Sequence, residues 1–220
     1  GYIIMESTEY PVMSGSNTMC VATVLLEIGM LPMQEPITNL TLESPAGLIY
    51  ITAQCENGKV KQVKLVNQPA FVYHLDRKNA AIEQVPAVHP VNPDFPGITQ
   101  VEFTNPLTRN TDGVLTAKNC VVVSPGRIDR SPCGTGTSAR LAVMHARGDI
   151  QVGERFIHES IIGTLFDSKV EELTTVGNVP AVVPSVAGQA WITETANVLL
   201  DPTDPFPNGY TMSDTWMSIS

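Results

Sequence analysis

Apolar and polar positions along the chain follow two periods. Short runs rich in β-branched and aliphatic residues stand at Leu40 to Glu43, Leu48 to Ala53, Val60 to Val66, Ile98 to Phe103, Asn119 to Val123 and Ala190 to Leu200, and these predict strands. Glu56-Asn57-Gly58, between two of them, supplies a hairpin turn. Thr18 to Ile28 and Thr137 to Arg147 instead carry apolar residues at helical spacing and stop at Gly29 and Gly148. Elements mixed in this way make an α/β or α+β chain.

The two predicted helices belong to a repeat. Ser14-Gly15-Ser16-Asn17-Thr18 superimposes without a gap on Cys133-Gly134-Thr135-Gly136-Thr137, and Gly29 then falls on Gly148. Further on, Glu43-Ser44-Pro45-Ala46-Gly47 matches Glu159-Ser160-Ile161-Ile162-Gly163. Two matches in the same order indicate a duplicated α/β unit, and duplicated units pack about a pseudo-twofold axis. Such packing would face Ser14 and Cys133 across a cleft.

Composition narrows the partners. The 220 residues are enough for one large domain or two small ones folded against each other. A formal net charge of -9 disfavours nucleic acid and anionic membranes, both of which need clustered Lys and Arg. No apolar run reaches bilayer length, and Gly1-Tyr2-Ile3-Ile4 lacks the basic flank of a signal peptide, so a soluble, cytoplasmic protein is expected.

Cys20, Cys55, Cys120 and Cys133 include no CxxC pair and no histidine at ligand spacing, so neither a zinc site nor a redox pair is expected. Cys20, Cys55 and Cys120 lie in apolar or strand-like stretches and read as small buried hydrophobes. His74, His89, His145 and His158 are scattered, with His145 in a packing or surface role. Met19, Met30 and Met33 read as core or loop packing, and Asp201 and Asp204 beside prolines as a turn.

Cys133 stands apart because it opens a helix. Unpaired backbone N–H groups and the positive end of the dipole favour an anion there, such as a substrate carboxylate. The same field lowers a thiol pKa from about 8.5, which makes Cys133 a candidate base. Two helix starts aimed at one carboxylate would also stabilise the enolate-like charge that forms when the neighbouring Cα loses its proton. With no nucleotide-type glycine loop, no Schiff-base lysine context and no metal-binding cluster, no cofactor and no metal are expected. A cysteine hydrolase would require a histidine within reach of the thiol, and no histidine is evidently placed for it.

These residues resemble the proline racemase family, which includes proline racemases, hydroxyproline 2-epimerases and trans-3-hydroxy-L-proline dehydratases. The strongest element is Asp129-Arg130-Ser131-Pro132-Cys133-Gly134-Thr135-Gly136-Thr137-Ser138-Ala139, similar to the family's second catalytic loop. Met13-Ser14-Gly15-Ser16-Asn17 is similar to the first loop, and Leu200-Asp201-Pro202-Thr203-Asp204-Pro205-Phe206 to the family's tail. The resemblance implies a fold like that of diaminopimelate epimerase, two pseudo-symmetric halves with the site in the cleft between them. By position it implies Cys133 and Ser14 as the catalytic pair, Gly15, Ser16, Gly134 and Thr135 as carboxylate-binding backbone, and Asp129 facing the substrate's ring nitrogen. It further implies a hydroxyproline substrate, a role in amino-acid catabolism and a homodimer.

The sequence departs from the family at Ser14, where racemases and epimerases carry a second cysteine, and at Ser16, where many carry histidine. A serine hydroxyl is a poor proton acceptor. Three outcomes follow: 4-hydroxyproline 2-epimerisation with Ser14 relaying a proton, trans-3-hydroxy-L-proline dehydration with Cys133 acting alone, or a non-catalytic homologue that binds a proline-like ligand. The family's dehydratases more often keep the first cysteine and place threonine at the second, the reverse of this pair. Residues 1–97 form the expected first half and 98–220 the second, whose last strand packs back on the first. Against the family's length, a portion before Gly1 and a segment near Asp76-Arg77 are expected to be missing.

Overall fold

The computed structural model describes residues 1–5, 10–73, 75, 89–92, 100–123, 126–197 and 199–207. The expected junction at Asp76-Arg77, His74 and the first residues of the Ile98 run lie outside them. Helix α1 spans Gly15–Glu27 and α2 spans Gly134–Arg147. Both begin three residues ahead of the sequence expectation, because the N-cap side chain rather than the first apolar residue sets a helix start.

The strands are β1 Ile37–Ser44, β2 Gly47–Glu56, β3 Lys59–Val66, β4 Ala70–Phe71, β5 Gln100–Thr104, β6 Thr108–Arg109, β7 Leu115–Val123, β8 Arg127–Ile128, β9 Arg155–Glu159, β10 Leu165–Val176 and β11 Val179–Gly188. The five runs from Leu40 to Val123 fall within or across strands of this set. The strand expected at Ala190 to Leu200 does not form: its described residues carry no regular structure, and Trp191, Leu199 and Leu200 face solvent. Among the described residues no neighbouring strand covers its apolar side chains, and an isolated run has no stable β state. Among the described residues the final ladder strand is β11.

Sheet order is β1-β2-β3-β11-β10-β9-β7-β5, with β4 on β11 and with β6 and β8 on β7. From β1 to β9 this order is a palindrome of two helix-led units, α1-β1-β2-β3 and α2-β9-β10-β11. Their equivalent last strands pair antiparallel, Leu65 opposite Val186 and Val63 opposite Gly188. A twofold axis perpendicular to a sheet requires such an antiparallel pair, so the axis passes between β3 and β11. The matched turns are equivalent too: Ser44 Oγ accepts from Ala46 N–H in the β1–β2 hairpin, and Ser160 Oγ from Thr164 N–H between β9 and β10.

Strict alternation builds the core. In β2, Ile49, Ile51, Ala53 and Cys55 point inward while Leu48, Tyr50, Gln54 and Glu56 point out. One apolar cluster joins Met19, Ala22 and Leu26 of α1 to Ile49, Ile51, Val63, Leu65, Phe166 and Val186. The other joins Leu141, Ala142 and Met144 of α2 to Leu115, Ile150, Phe156, Val170 and Val182. Each helix is pinned over its own unit's last strand, α1 on β3 and α2 on β11. Of the cysteines expected to be buried, Cys55 is, Cys120 is half-buried, and Cys20 is exposed because it falls on the outward face of α1.

Candidate active site

Each helix start is built by the residue preceding it. Ser14 caps α1 from an extended backbone (φ -148°, ψ 120°), its Oγ accepting from the backbone N–H of Asn17 at 3.4 Å and from Asn17 Nδ2 at 3.0 Å. Ser16 Oγ lies 3.4 Å from the same oxygen. Thr18 locks the turn, its hydroxyl donating to the Ser14 carbonyl at 2.7 Å and contacting the Tyr2 hydroxyl. Neither helix has an acidic residue in its first turn, so no carboxylate of its own compensates the dipole.

Cys133 caps α2 in a different way. Its Sγ accepts from Gly136 N–H at 3.4 Å and donates to Gln100 Oε1 at 3.6 Å. Its backbone sits at φ 63°, ψ 120°, a left-handed value that costs a non-glycine residue about 1–3 kcal/mol. The surrounding loop holds it there. Asp129 Oδ1 accepts from Ser131 N–H and Ser131 Oγ, Ser131 Oγ accepts from Cys133 N–H, and the Pro132 carbonyl accepts from Asn119 Nδ2 at 2.7 Å and Thr137 Oγ1 at 3.4 Å.

The two helix starts meet backbone to backbone at Gly15 and Gly134. A Cβ built on Gly134 would lie 2.8 Å from the Gly15 Cα, and one on Gly15 would lie 3.1 Å from the Gly134 Cα. Only glycine at both positions permits this approach. The contact brings together the loops that carry Ser14, Gly15 and Ser16 with those that carry Cys133, Gly134 and Thr135. Asp129 joins them half-buried, tied to the Cys133 loop through Ser131. Two surface concavities, one over the outer face of β1–β3 and one beside β7 and β9, contain none of these residues.

The electrostatics correct one expectation. Cys133 is 6% exposed, and burial pushes its thiol up to about 12 rather than down. Hydrogen bonds from the Gly136 and Thr135 N–H groups pull the other way, and the nearby Asp129 carboxylate pushes further up. The helix start does favour thiolate, but loss of hydration outweighs it. The resting residue is therefore a thiol.

Four polar residues beside the Cys133 loop carry no site role in the sequence pattern: Gln100 and Glu102 on β5, Asn119 on β7, and His158 on β9, which stands there only as one of the scattered histidines. Glu102 Oε1 accepts from Asn119 Nδ2 at 2.7 Å and lies 3.6 Å from His158 Nε2. His158 is fully buried, with Nδ1 3.0 Å from Thr137 Oγ1. Burial raises Glu102 to about 7 and holds His158 down to about 3, each partly offset or reinforced by the Arg140 guanidinium. A signal for them existed in strand phase. In β5 the more covered positions are Gln100, Glu102 and Thr104 while Val101 and Phe103 face out, and in β7 Asn119 shares the inward register of Leu115, Ala117 and Val121. Among the described residues, no group of three His, Cys, Asp or Glu side chains is arranged to hold a metal ion, and no helix is long and apolar enough to cross a membrane.

Comparison with known proteins agrees with this architecture. The family model described as proline racemase matches residues 1–79 and 77–211. A hydroxyproline epimerase from Agrobacterium vitis, solved with bound trans-4-OH-L-proline, is 34% identical with a TM-score of 0.84, the match covering 97% of this chain and 74% of that one. A probable proline racemase from Agrobacterium radiobacter K84, with bound carbonate, is also 34% identical, with a TM-score of 0.81 and coverage of 97% and 76%.

Proposed function

The chain belongs to the proline racemase family, and from that premise we propose that it removes and returns the Cα proton of a hydroxyproline without a cofactor, acting as a 4-hydroxyproline 2-epimerase. The family and its solved members support an amino-acid isomerase of the racemase and epimerase type; the hydroxylated substrate is the finer step, supported by the ligand of the Agrobacterium vitis relative. The observation that carries it is the Gly15–Gly134 contact, which points two helix N-termini at one place.

In this reading the substrate carboxylate takes the N–H groups of Gly15, Ser16, Gly134 and Thr135, and Asp129 takes the protonated ring nitrogen. Both helix dipoles then stabilise the charge that spreads into the carboxylate as Cα is deprotonated. Cys133 works on one face of Cα and Ser14 on the other. A thiol held near 12 is poised to donate a proton. To accept one it must first ionise, and the ring's positive charge beside Asp129 offsets the carboxylate that opposes this.

The setting of Ser14 favours a second reading. Its hydroxyl is partnered by Asn17 and Ser16, neither of which is a base. If Cys133 alone takes the Cα proton, the C3–O bond of trans-3-hydroxy-L-proline can break with the hydroxyl held by Ser14 and departing as water once it takes up a proton, which leaves an enamine that becomes an imine. The test incubates pure protein with trans-4-hydroxy-L-proline in deuterium oxide and, separately, with trans-3-hydroxy-L-proline. Inversion at C2 with solvent deuterium supports the epimerase, and imine formation supports the dehydratase. Tight binding of pyrrole-2-carboxylate with neither reaction overturns both and leaves a binding homologue.

A further inference from the structure

Behind the Cys133 loop lies a polar cluster that the proposed reaction does not use. Three strands and α2 each contribute to it: Glu102 from β5, Asn119 from β7, His158 from β9, and Thr137 with Arg140 from α2. It is sunk in the protein, with Thr137 and His158 fully buried and Asn119 3% exposed. Burying so many polar groups costs stability unless each is paired.

The pairing converges on one atom. Asn119 Nδ2 bridges the Glu102 carboxyl and the Pro132 carbonyl, 2.7 Å from each, and Thr137 Oγ1 reaches the same carbonyl while its other neighbour is His158 Nδ1. Pro132 immediately precedes Cys133, whose left-handed backbone needs outside restraint. Glu102 also touches the loop from the other side: a Cβ on Gly136, the residue whose N–H meets the Cys133 sulfur, would lie 3.3 Å from Glu102 Oε1.

Glu102 and His158 face each other across a short gap. If Thr137 gives its hydroxyl proton to Pro132, His158 Nδ1–H donates to Thr137 and Nε2 presents a lone pair toward Glu102. If Thr137 donates to Nδ1 instead, Nε2–H points at the Glu102 carboxylate. In either tautomer Nε2 faces Glu102 Oε1 at 3.6 Å, just beyond hydrogen-bond reach. His158 Nε2 has no hydrogen-bond partner among the described residues.

We propose that Glu102 is a positioning residue for Cys133: through Asn119 it fixes the Pro132 carbonyl and so the strained cap. That carboxyl, raised by burial to about 7, faces His158 from β9 and Arg140 from α2 and lies against Gly136, whose N–H meets the Cys133 sulfur, so its charge changes beside the cap near neutral pH; Asp129 is the other carboxylate near the thiol.

The test uses the full chain with E102Q and E102A. Its first readout is the rate of iodoacetamide labelling at Cys133 against pH, resolved from the other cysteines by peptide mass spectrometry. Its second is kcat and KM for C2 exchange, and this arm alone rests on the function proposed above. Glutamine can still accept from Asn119 and offers an N–H to His158, but it cannot titrate. E102Q is expected to stay within about threefold of the parent in kcat, and to lose an inflection near pH 7 from the labelling profile. E102A is expected to lower kcat about 10–100-fold with KM changed less than about threefold, and to speed labelling as the loop loosens. Parent-like labelling profiles in both variants overturn the proposal, as does E102Q failing as badly as E102A. If E102A does not fold, an unchanged E102Q labelling profile still overturns it. A parent with no C2 exchange refutes the proposed reaction instead, and labelling still decides the role of Glu102.

Discussion

Gly15 and Gly134 touch backbone to backbone, so closely that a Cβ on Gly134 would sit 2.8 Å from its partner's Cα. The contact joins the starts of α1 and α2 just as the β3–β11 pair joins their sheets. At both places equivalent residues of the two units meet each other, as a pseudo-twofold relation requires.

Gly134→Ala therefore has to push the helix starts apart, because the opposing atom is backbone and cannot rotate away. The expected loss is about 1–3 kcal/mol of stability from overpacking. C2 exchange should fall by about a hundredfold, since the carboxylate site is split. Thermal melts and exchange assays check both; an alanine variant with parent activity would mean that the contact does not form the site.

Cys133→Ser keeps the volume and replaces a thiol with a hydroxyl. Exchange is expected to drop about 10²–10⁴-fold, the usual contribution of a positioned acid or base. Because the thiol stands near 12, its reactivity toward iodoacetamide should rise throughout the alkaline range. Asp129→Asn removes a negative neighbour and should shift that profile to lower pH, which peptide-resolved labelling measures.

Ser14→Cys supplies the second thiol found in the family's racemases. If inversion at C2 is limited by a poor base at this position, the substitution should raise it about tenfold or more. Polarimetry on trans-4-hydroxy-L-proline reads the gain. No gain, together with imine from trans-3-hydroxy-L-proline, would assign Cys133 the whole proton transfer.

Glu102 and His158 pull stability in opposite directions with pH. Glu102 is raised in the fold from 4.5 to about 7, so its contribution is complete below about 4.5 and is lost as pH rises through about 7. His158 is lowered from 6.5 to about 3, so its contribution is complete above about 6.5 and is lost as pH falls toward about 3. Glu102→Gln should accordingly gain on the parent between pH 4.5 and 8, by an amount on the order of 2–3 kcal/mol. Urea unfolding at several pH values checks it; a gain that shrinks with rising pH contradicts the sign.

Several features could be read from the chain because they depend on neighbours in sequence. Ser14 and Cys133 cap their helices through groups three residues ahead, and Gly29 and Gly148 end them within a turn. The alternation of Ile49, Ile51 and Ala53 announces β2 by itself. The duplicated motif even foretold which residues would be equivalent. Ala190 to Leu200 shows the limit of such signals: an apolar run becomes a strand only when another strand offers it hydrogen bonds, and none among the described residues does.

What the sequence determined, then, is the pair of helix starts, the repeat that relates them, and Cys133 as the distinctive side chain. What only the tertiary structure decided is the state of that side chain. The helix dipole, a local effect, favours thiolate, but hydration is lost as the fold closes over the sulfur, with Gln100 of β5 brought to it from 33 residues away, and that burial holds the thiol near 12. The Glu102–Asn119–His158 cluster is invisible for the same reason. Each member is an ordinary polar residue in its own strand, and only the pairing of β5 with β7, of β7 with β9, and the packing of α2 over them make it one buried network.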